Sequence, residues 1–193
     1  MPLHYKILFL AAPLILIAIT FIDKFSPIKK RRLRVVIIHD VPACERRNLI
    51  KTLKILSKSW KFLSLSQFEK VLCGQTNLDG RNIFVTFDDG LSSAHNFALD
   101  CLKGKGVDCG SFYVGKIVGQ SSENLSASFV SKTFFRNEQV LLPLEWNFIH
   151  VDELAHFHSV NSAVGSHSMS HSVIGALNEQ DVNKELLESR ELL

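Results

Sequence analysis

Two adjacent carboxylates, Asp88 and Asp89, stand between an apolar run, Ile83 to Phe87, and Gly90. Nothing in the packing of a strand asks for neighbouring acids. Like charges that close destabilise a fold unless a cation or a partner neutralises one of them. Further along, His167 and His171 lie four residues apart in Gly165-Ser166-His167-Ser168-Met169-Ser170-His171. That spacing puts both imidazoles on one face of a helical or tightly turned segment. One carboxylate and two imidazoles form a mixed oxygen and nitrogen donor set that suits zinc or a similar divalent ion. Three protein donors leave a coordination position open, which is the catalytic rather than the structural pattern. The chemistry indicated is metal-assisted hydrolysis. Alone, Asp-Asp-Gly also reads as a solvated turn, and His-x-x-x-His is a weak signal; together each strengthens the other.

These residues need elements to carry them. Ile83–Phe87 is β-branched and aromatic, as in a strand buried on both faces, and the glycine after it permits a sharp turn. Asp88 and Asp89 then sit at the carboxyl end of a core strand, where open α/β folds and barrels place their chemistry. Val35–His39 reads as the first core strand, leaving through His39-Asp40-Val41-Pro42. Leu49, Ile50, Leu53 and Leu56 give helical spacing within Glu45–Ser59. Ser66-Gln67-Phe68-Glu69 reads as a capping box opening a short helix through Leu72, and Gly74–Asn82 as a polar turn. After Gly90, Ala94, Phe97, Ala98, Cys101 and Leu102 form a helical stripe that Gly104 and Gly106 stop. Ser111–Val114 is the next strand. Strand, helix and strand in that order imply a right-handed parallel crossover, hence an α/β fold. Val151–Phe157 reads as a short helix, Ala163–Ser166 as the strand delivering His167, and Asn178 as the cap of a last helix running through Val182, Leu186 and Leu187.

The chain has 193 residues, is 46% hydrophobic and carries a formal charge of +3, enough for one domain with a sizeable core. Much of the positive charge sits in one short run, so no nucleic-acid surface is indicated. Cys44, Cys73, Cys101 and Cys109 lack Cys-x-x-Cys spacing, which argues against a zinc ribbon. Ile7–Ile22 is almost unbroken apolar sequence and, with its flanks, approaches the about 20 residues that span a bilayer. No small-x-small cleavage site follows, so residues 1–25 are expected to be an uncleaved membrane anchor, a single-pass transmembrane helix, and residues 26–34 a basic linker. Lys24, Lys29, Lys30, Arg31, Arg32 and Arg34 follow the span, a bias toward a cytoplasmic domain by the positive-inside rule.

The two motifs together resemble those of the polysaccharide deacetylases of carbohydrate esterase family 4, which include chitin and peptidoglycan deacetylases. Thr86-Phe87-Asp88-Asp89-Gly90 looks like the family's first motif letter for letter, and His167-Ser168-Met169-Ser170-His171 like its second. Ser111-Phe112-Tyr113-Val114 and Gly165-Ser166 resemble their family surroundings. The resemblance runs from about Arg34 to the C-terminus. It implies a partial, distorted (β/α) barrel over residues 35–193. It implies Asp88 as general base, with Asp89, His167 and His171 holding a divalent ion, zinc before cobalt or another. The reaction it implies is removal of N-acetyl groups from an amino-sugar polysaccharide of the chitin, peptidoglycan or exopolysaccharide type. Because such glycans are exported, it places the domain outside the cytoplasm, against the charge bias.

The same resemblance sets expectations about what this chain lacks. The family's later segments, including one whose histidine is the general acid, have no counterpart before Leu193. The sequence therefore reads as the N-terminal part of the catalytic domain, impaired unless a missing segment or a partner completes the barrel. His39 ends the first core strand and is a candidate to face the cavity; a structural role accounts for it equally well. Gly115–Leu142 reads as an insertion near the mouth of the site, with Phe129, Phe134 and Phe135 expected to pack on the barrel rather than stack on sugar rings. The rival reading from another class is an inactive, membrane-tethered glycan-binding domain with vestigial ligands. A phosphoesterase would need more acids near the motifs for a two-metal site.

Overall fold

The computed structural model describes residues 32–102, 107–118, 127–135, 146–154 and 162–193. The expected anchor at 1–25, most of the basic linker, Gly104 and Gly106 lie outside them. Among the described residues no helix is long and apolar enough to cross a membrane.

The chain forms an α/β fold around a parallel sheet. Its strands are β1 (Arg32–Ile38), β2 (Lys61–Phe62), β3 (Arg81–Phe87), β4 (Cys109–Tyr113) and β5 (Ser162–Ser166). The order is β1-β3-β4-β5, with β2 paired to the first half of β3 on the side where β4 takes the second half. β1 begins earlier than its apolar run suggests: Arg32, Leu33 and Arg34 already pair with Arg81, Asn82 and Ile83. The end of the expected linker is thus strand. Arg34 reaches over the Trp60 ring, 4.8 Å from its centroid, which lets a cationic residue sit in an edge strand.

Asn82–Phe87 of β3 is buried, as the run of β-branched and aromatic residues predicts. Val85 and Phe87 join Val41, Leu53, Ala94, Phe97 and Leu102 in the principal core. The helix contributing Leu53 is α1 (Arg46–Leu56), and α3 (Ser92–Phe97) continues as a wider π turn over Ala98–Leu102. Between them α2 (Leu65–Leu72) is capped by Ser64, not by Ser66. The Ser64 hydroxyl accepts from the Gln67 amide at 3.2 Å, and Gln67 Oε1 accepts from the Ser64 amide at 3.1 Å. The box is therefore Ser-x-x-Gln, two residues earlier than the serine the sequence offered.

Among the described residues of the loosely patterned stretch after β4 are α4 (Gly115–Val118) and α5 (Ala127–Phe135). Val130 of α5 closes a small core with Val114 and Ile117. Val151–Glu153 is one 3-10 turn, with residues 155–161 beyond it undescribed. The last helix, α6 (Glu179–Leu192), starts at Asn178, whose side chain accepts from the Asp181 amide at 2.9 Å. Leu186 and Leu187 face outward on it, 49% and 56% exposed, while Ser189 is fully buried.

Candidate metal centre

β3 ends at Phe87 and the chain turns at once. The Asp88 amide still donates to the Ile38 carbonyl at 2.9 Å, so the first acid is anchored by sheet pairing. Asp89 takes a left-handed backbone, φ 74°, and Gly90 another, φ 86°. Gly90 is required twice over: its φ disfavours a side chain, and a Cβ there would lie 2.9 Å from the Tyr113 ring. The double left-handed turn swings the Asp89 carboxylate toward the end of β5.

β5 ends at Ser166, and His167 comes next with its amide donating to the Tyr113 carbonyl at 2.9 Å. The turn then bends back through Ser168, φ 65°, and His171, φ 57°. The Ser168 hydroxyl accepts from the His171 amide at 3.0 Å, closing the turn on itself. Gly115 and Lys116 amides, at the start of α4, donate to the carbonyls of Ser168 and Met169 at 3.0 and 2.8 Å. Asp89, Ser168 and His171 are the non-glycine residues with positive φ among those described. Local strain is thus concentrated in the two motifs, where each such residue carries an order of 1–3 kcal/mol that the surroundings must offset.

The result is a convergent triad. Asp89 Oδ1 lies 3.4 Å from His167 Nε2 and 3.7 Å from His171 Nε2. One donor atom from each of the three residues falls within 4.8 Å of the others. Donors bound at about 2.0–2.2 Å around a tetrahedral ion lie about 3.3–3.6 Å from one another. Asp89 Oδ1 is buried and has no hydrogen-bond partner. A buried carboxylate oxygen without a donor is costly unless a cation meets it. The donor set, the spacing and this orphaned oxygen all fit a divalent ion.

Asp88 stands beside the triad. Its Oδ1 is also buried without a hydrogen-bond partner. Burial holds its carboxyl above the ordinary carboxylate range, and the neighbouring Asp89 adds to that, against the opposing pull of His167, His39 and a Thr86 hydrogen bond. His39 is itself exposed, at the end of β1, close enough for its charge to be felt at Asp88.

Phe134 was expected to pack near the mouth of the site, but its partners Trp146 and Phe148 and the bracing role of Tyr113 were not singled out by sequence reasoning. Phe134 of α5 lies 5.1 Å from the His171 ring and stacks on Phe148 at 5.6 Å, with Trp146 edge-on to both. Phe148 is placed by an antiparallel bridge to Leu91, flanked by Ser92 N to Asn147 O at 2.8 Å and Ile149 N to Gly90 O at 3.1 Å. Phe134 is thus packed, as expected of that segment, but against a metal-ligand candidate. Tyr113 braces both motifs, with its ring against Gly90 and its carbonyl on His167. Burial pushes its hydroxyl far above the usual range, so it stays neutral, 3.2 Å from His95 Nδ1. No spacing rule marks these residues, because they meet the site from separate elements.

A family model described as polysaccharide deacetylase matches residues 75–193. No curated relative matches the sequence. Among solved structures, IcaB from Ammonifex degensii superposes with a TM-score of 0.57 at 18% identity, over 84% of this chain and 66% of that one. The deacetylase domain of BpsB from Bordetella bronchiseptica gives 0.59 at 16% identity, over 83% and 74%. The deacetylase PplD of Streptococcus pyogenes, in complex with acetate, gives 0.54 at 14%, over 82% and 64%. At such identities the likeness is one of fold. The chain spans about two thirds of the length of IcaB and PplD.

Proposed function

The chain belongs to the polysaccharide deacetylase family, and on that premise we propose that it hydrolyses N-acetyl groups on an amino-sugar polysaccharide. Asp89, His167 and His171 would hold a divalent ion, zinc in the first instance, and Asp88 would act as general base. The observation that carries the reading is the buried Asp89 oxygen, without a hydrogen-bond donor, facing two imidazole nitrogens at 3.4 and 3.7 Å. When bound, the ion supplies Lewis acidity at this point.

The chain's own residues do the rest. Asp88, with a carboxylate oxygen free of hydrogen bonds and a raised proton affinity, takes a proton from the water that attacks the acetyl carbonyl carbon. The C–N bond then breaks, the amine nitrogen gains a proton, and acetate and a free amine leave. His39 is the candidate donor of that proton, since it follows Ile38, which pairs with Phe87, and so stands beside Asp88 at the same end of the sheet. Phe134, backed by Phe148 and Trp146, packs against the His171 ring and limits its rotation. That PplD binds acetate is consistent with the product assigned here. The same reading makes Ile7–Ile22 a single-pass anchor with the domain on the extracytoplasmic side; release of the intact protein on carbonate extraction of membranes would contradict the anchor.

The test is acetate release from acetylated chitooligosaccharides by the purified chain with zinc or cobalt, alongside calorimetric metal titration. Asp89→Ala is expected to lose tight metal binding. Asp88→Asn is expected to keep the metal and lose on the order of 10²–10⁴ in rate. Metal binding with no acetate release even when the family's later segments are supplied would favour a glycan-binding domain with vestigial ligands. Equal loss of metal in both variants would show the division of roles to be wrong.

A further inference from the structure

α6 touches the histidine-bearing turn at two points one helical turn apart. Glu185 Oε2 accepts from the Ser170 amide at 2.7 Å, and Glu185 Oε1 accepts from the Ser170 hydroxyl. Ser189 Oγ lies 2.5 Å from Ser166 Oγ and donates to the Glu185 carbonyl at 2.8 Å. Ser166 immediately precedes His167, and Ser170 immediately precedes His171. The four-residue spacing of the histidines is thus matched by the four-residue spacing of Glu185 and Ser189 on one face of α6.

The contact is polar where an apolar one would give more stability. Ser189 is buried, while Leu186 and Leu187 of the same helix point outward. Glu185, Ser166 and Ser170 are partly exposed, but hydrogen bonds are directional and fix orientation, which non-directional apolar packing does less well. The turn needs such fixing, because Ser168 and His171 hold left-handed backbones. Residue pairs of this kind behind metal ligands orient the ligand and tune affinity.

We propose that Glu185 is a positioning residue for the metal centre, clamping the Ser170 backbone and hydroxyl so that His171 is presented to Asp89 before an ion arrives. This rests on the reading of Asp89, His167 and His171 as metal ligands. Glu185 donates nothing to the ion and does not touch it. Its effect passes through Ser170, whose hydroxyl also meets Ser172 Oγ at 2.7 Å. Ser189 secures the other end of the turn by the same means.

The experiment uses the full chain and reads zinc affinity by competition with a chromophoric chelator, the visible spectrum of the cobalt form, and amide exchange in metal-free protein. Glu185→Ala is expected to weaken zinc binding by about 10–100-fold. It should also quicken exchange at the Ser170 and His171 amides while leaving β3 amides unchanged. Glu185→Gln keeps an acceptor for the Ser170 amide and can pair with the hydroxyl, so it should retain most of the affinity. Ser170→Ala removes the hydroxyl bond alone and should show a smaller loss in the same direction, which keeps the test usable if Glu185→Ala folds poorly. Wild-type affinity in Glu185→Ala overturns the proposal and leaves the metal reading intact. Glu185→Gln as weak as Glu185→Ala would mean that charge, not positioning, is at work, and overturns it too. Wild-type protein that binds neither ion overturns the metal reading and this proposal with it.

Discussion

β3 delivers Asp88 and Asp89 from a strand buried from Asn82 to Phe87, paired on both edges and packed under Phe97 and Leu102. β5 delivers His167 and His171 from a partly exposed strand whose described pairing is to β4 alone. The first end is fixed by apolar burial below the turn. The second is fixed by hydrogen bonds around the turn, from Tyr113, Gly115, Lys116, Glu185 and Ser189. Apolar burial is large and non-directional, whereas hydrogen bonds are small individually but set angles. The comparison teaches that the acids' half should be sensitive to lost volume and the histidines' half to lost geometry.

The largest effect should come from the acids' half. Phe97→Ala empties a fully buried position in the core beneath β3 and is expected to lose about 3–5 kcal/mol of stability in urea unfolding. Next is Gly90→Ala, which meets both a positive φ and the Tyr113 ring. A destabilisation of about 1–3 kcal/mol is expected, with weakened metal affinity because Asp89 is displaced. Smaller again is Ser189→Ala, which removes one hydroxyl pair from the histidines' half and should lower stability by about 1 kcal/mol. Its effect on zinc affinity should exceed that of Phe97→Ala when both are measured on folded protein. Should Ser189→Ala prove as destabilising as Phe97→Ala, with no change in affinity, the contrast between the halves would be wrong.

The smallest effects are in pH, and they have opposite signs. Asp88 has a raised carboxyl pKa in the metal-free fold, so the folded chain binds that proton more tightly than the unfolded one. Stability from this group is lost as pH rises from the ordinary carboxylate value of 3.8 through the raised one. Glu185 is shifted down: burial pushes it up, but the Ser170 hydroxyl and the Ser170 and Met169 amides outweigh that. Its contribution is present above the ordinary value of 4.5 and is lost as pH falls through the lowered one. Unfolding curves of metal-free Asp88→Asn and Glu185→Gln should therefore flatten the wild-type pH profile on opposite sides of that region. Changes of the same sign in both variants would count against the contrast.

Local order along the chain was legible without the structure. The apolar run Ile83–Phe87 had to be a buried strand, because its residues suit two covered faces and its length suits no helix. The stripe from Ala94 to Leu102 had to be helical, and Asn178 had to cap the last helix. The acids and histidines were found because their types are unusual at a strand end and at a four-residue spacing. Reading failed where two serines competed for one cap, since only the bond to Gln67 distinguishes Ser64 from Ser66. It failed also in Gly115–Leu142, where α4 has only four residues and α5 nine, too short to leave a clear periodic stripe.

Residue order alone carried the local elements and the candidates: two acids at the end of a core strand, two histidines in a turn, and a parallel crossover from the acid-bearing strand to the next strand. Tertiary structure alone decided their distances and their supports. Asp89, Ser168 and His171 adopt left-handed backbones that no local preference imposes. Phe134 reaches His171 from a helix distant in sequence, with Trp146 and Phe148 packed behind it from a loop. Glu185 looks like one exposed helical charge among several until α6 is folded back onto Ser170. The physical reason is range. Strand burial, helix periodicity and capping act over a few neighbouring residues and are written in their order. Angles at a site are fixed by directional bonds between segments that only the completed fold brings together.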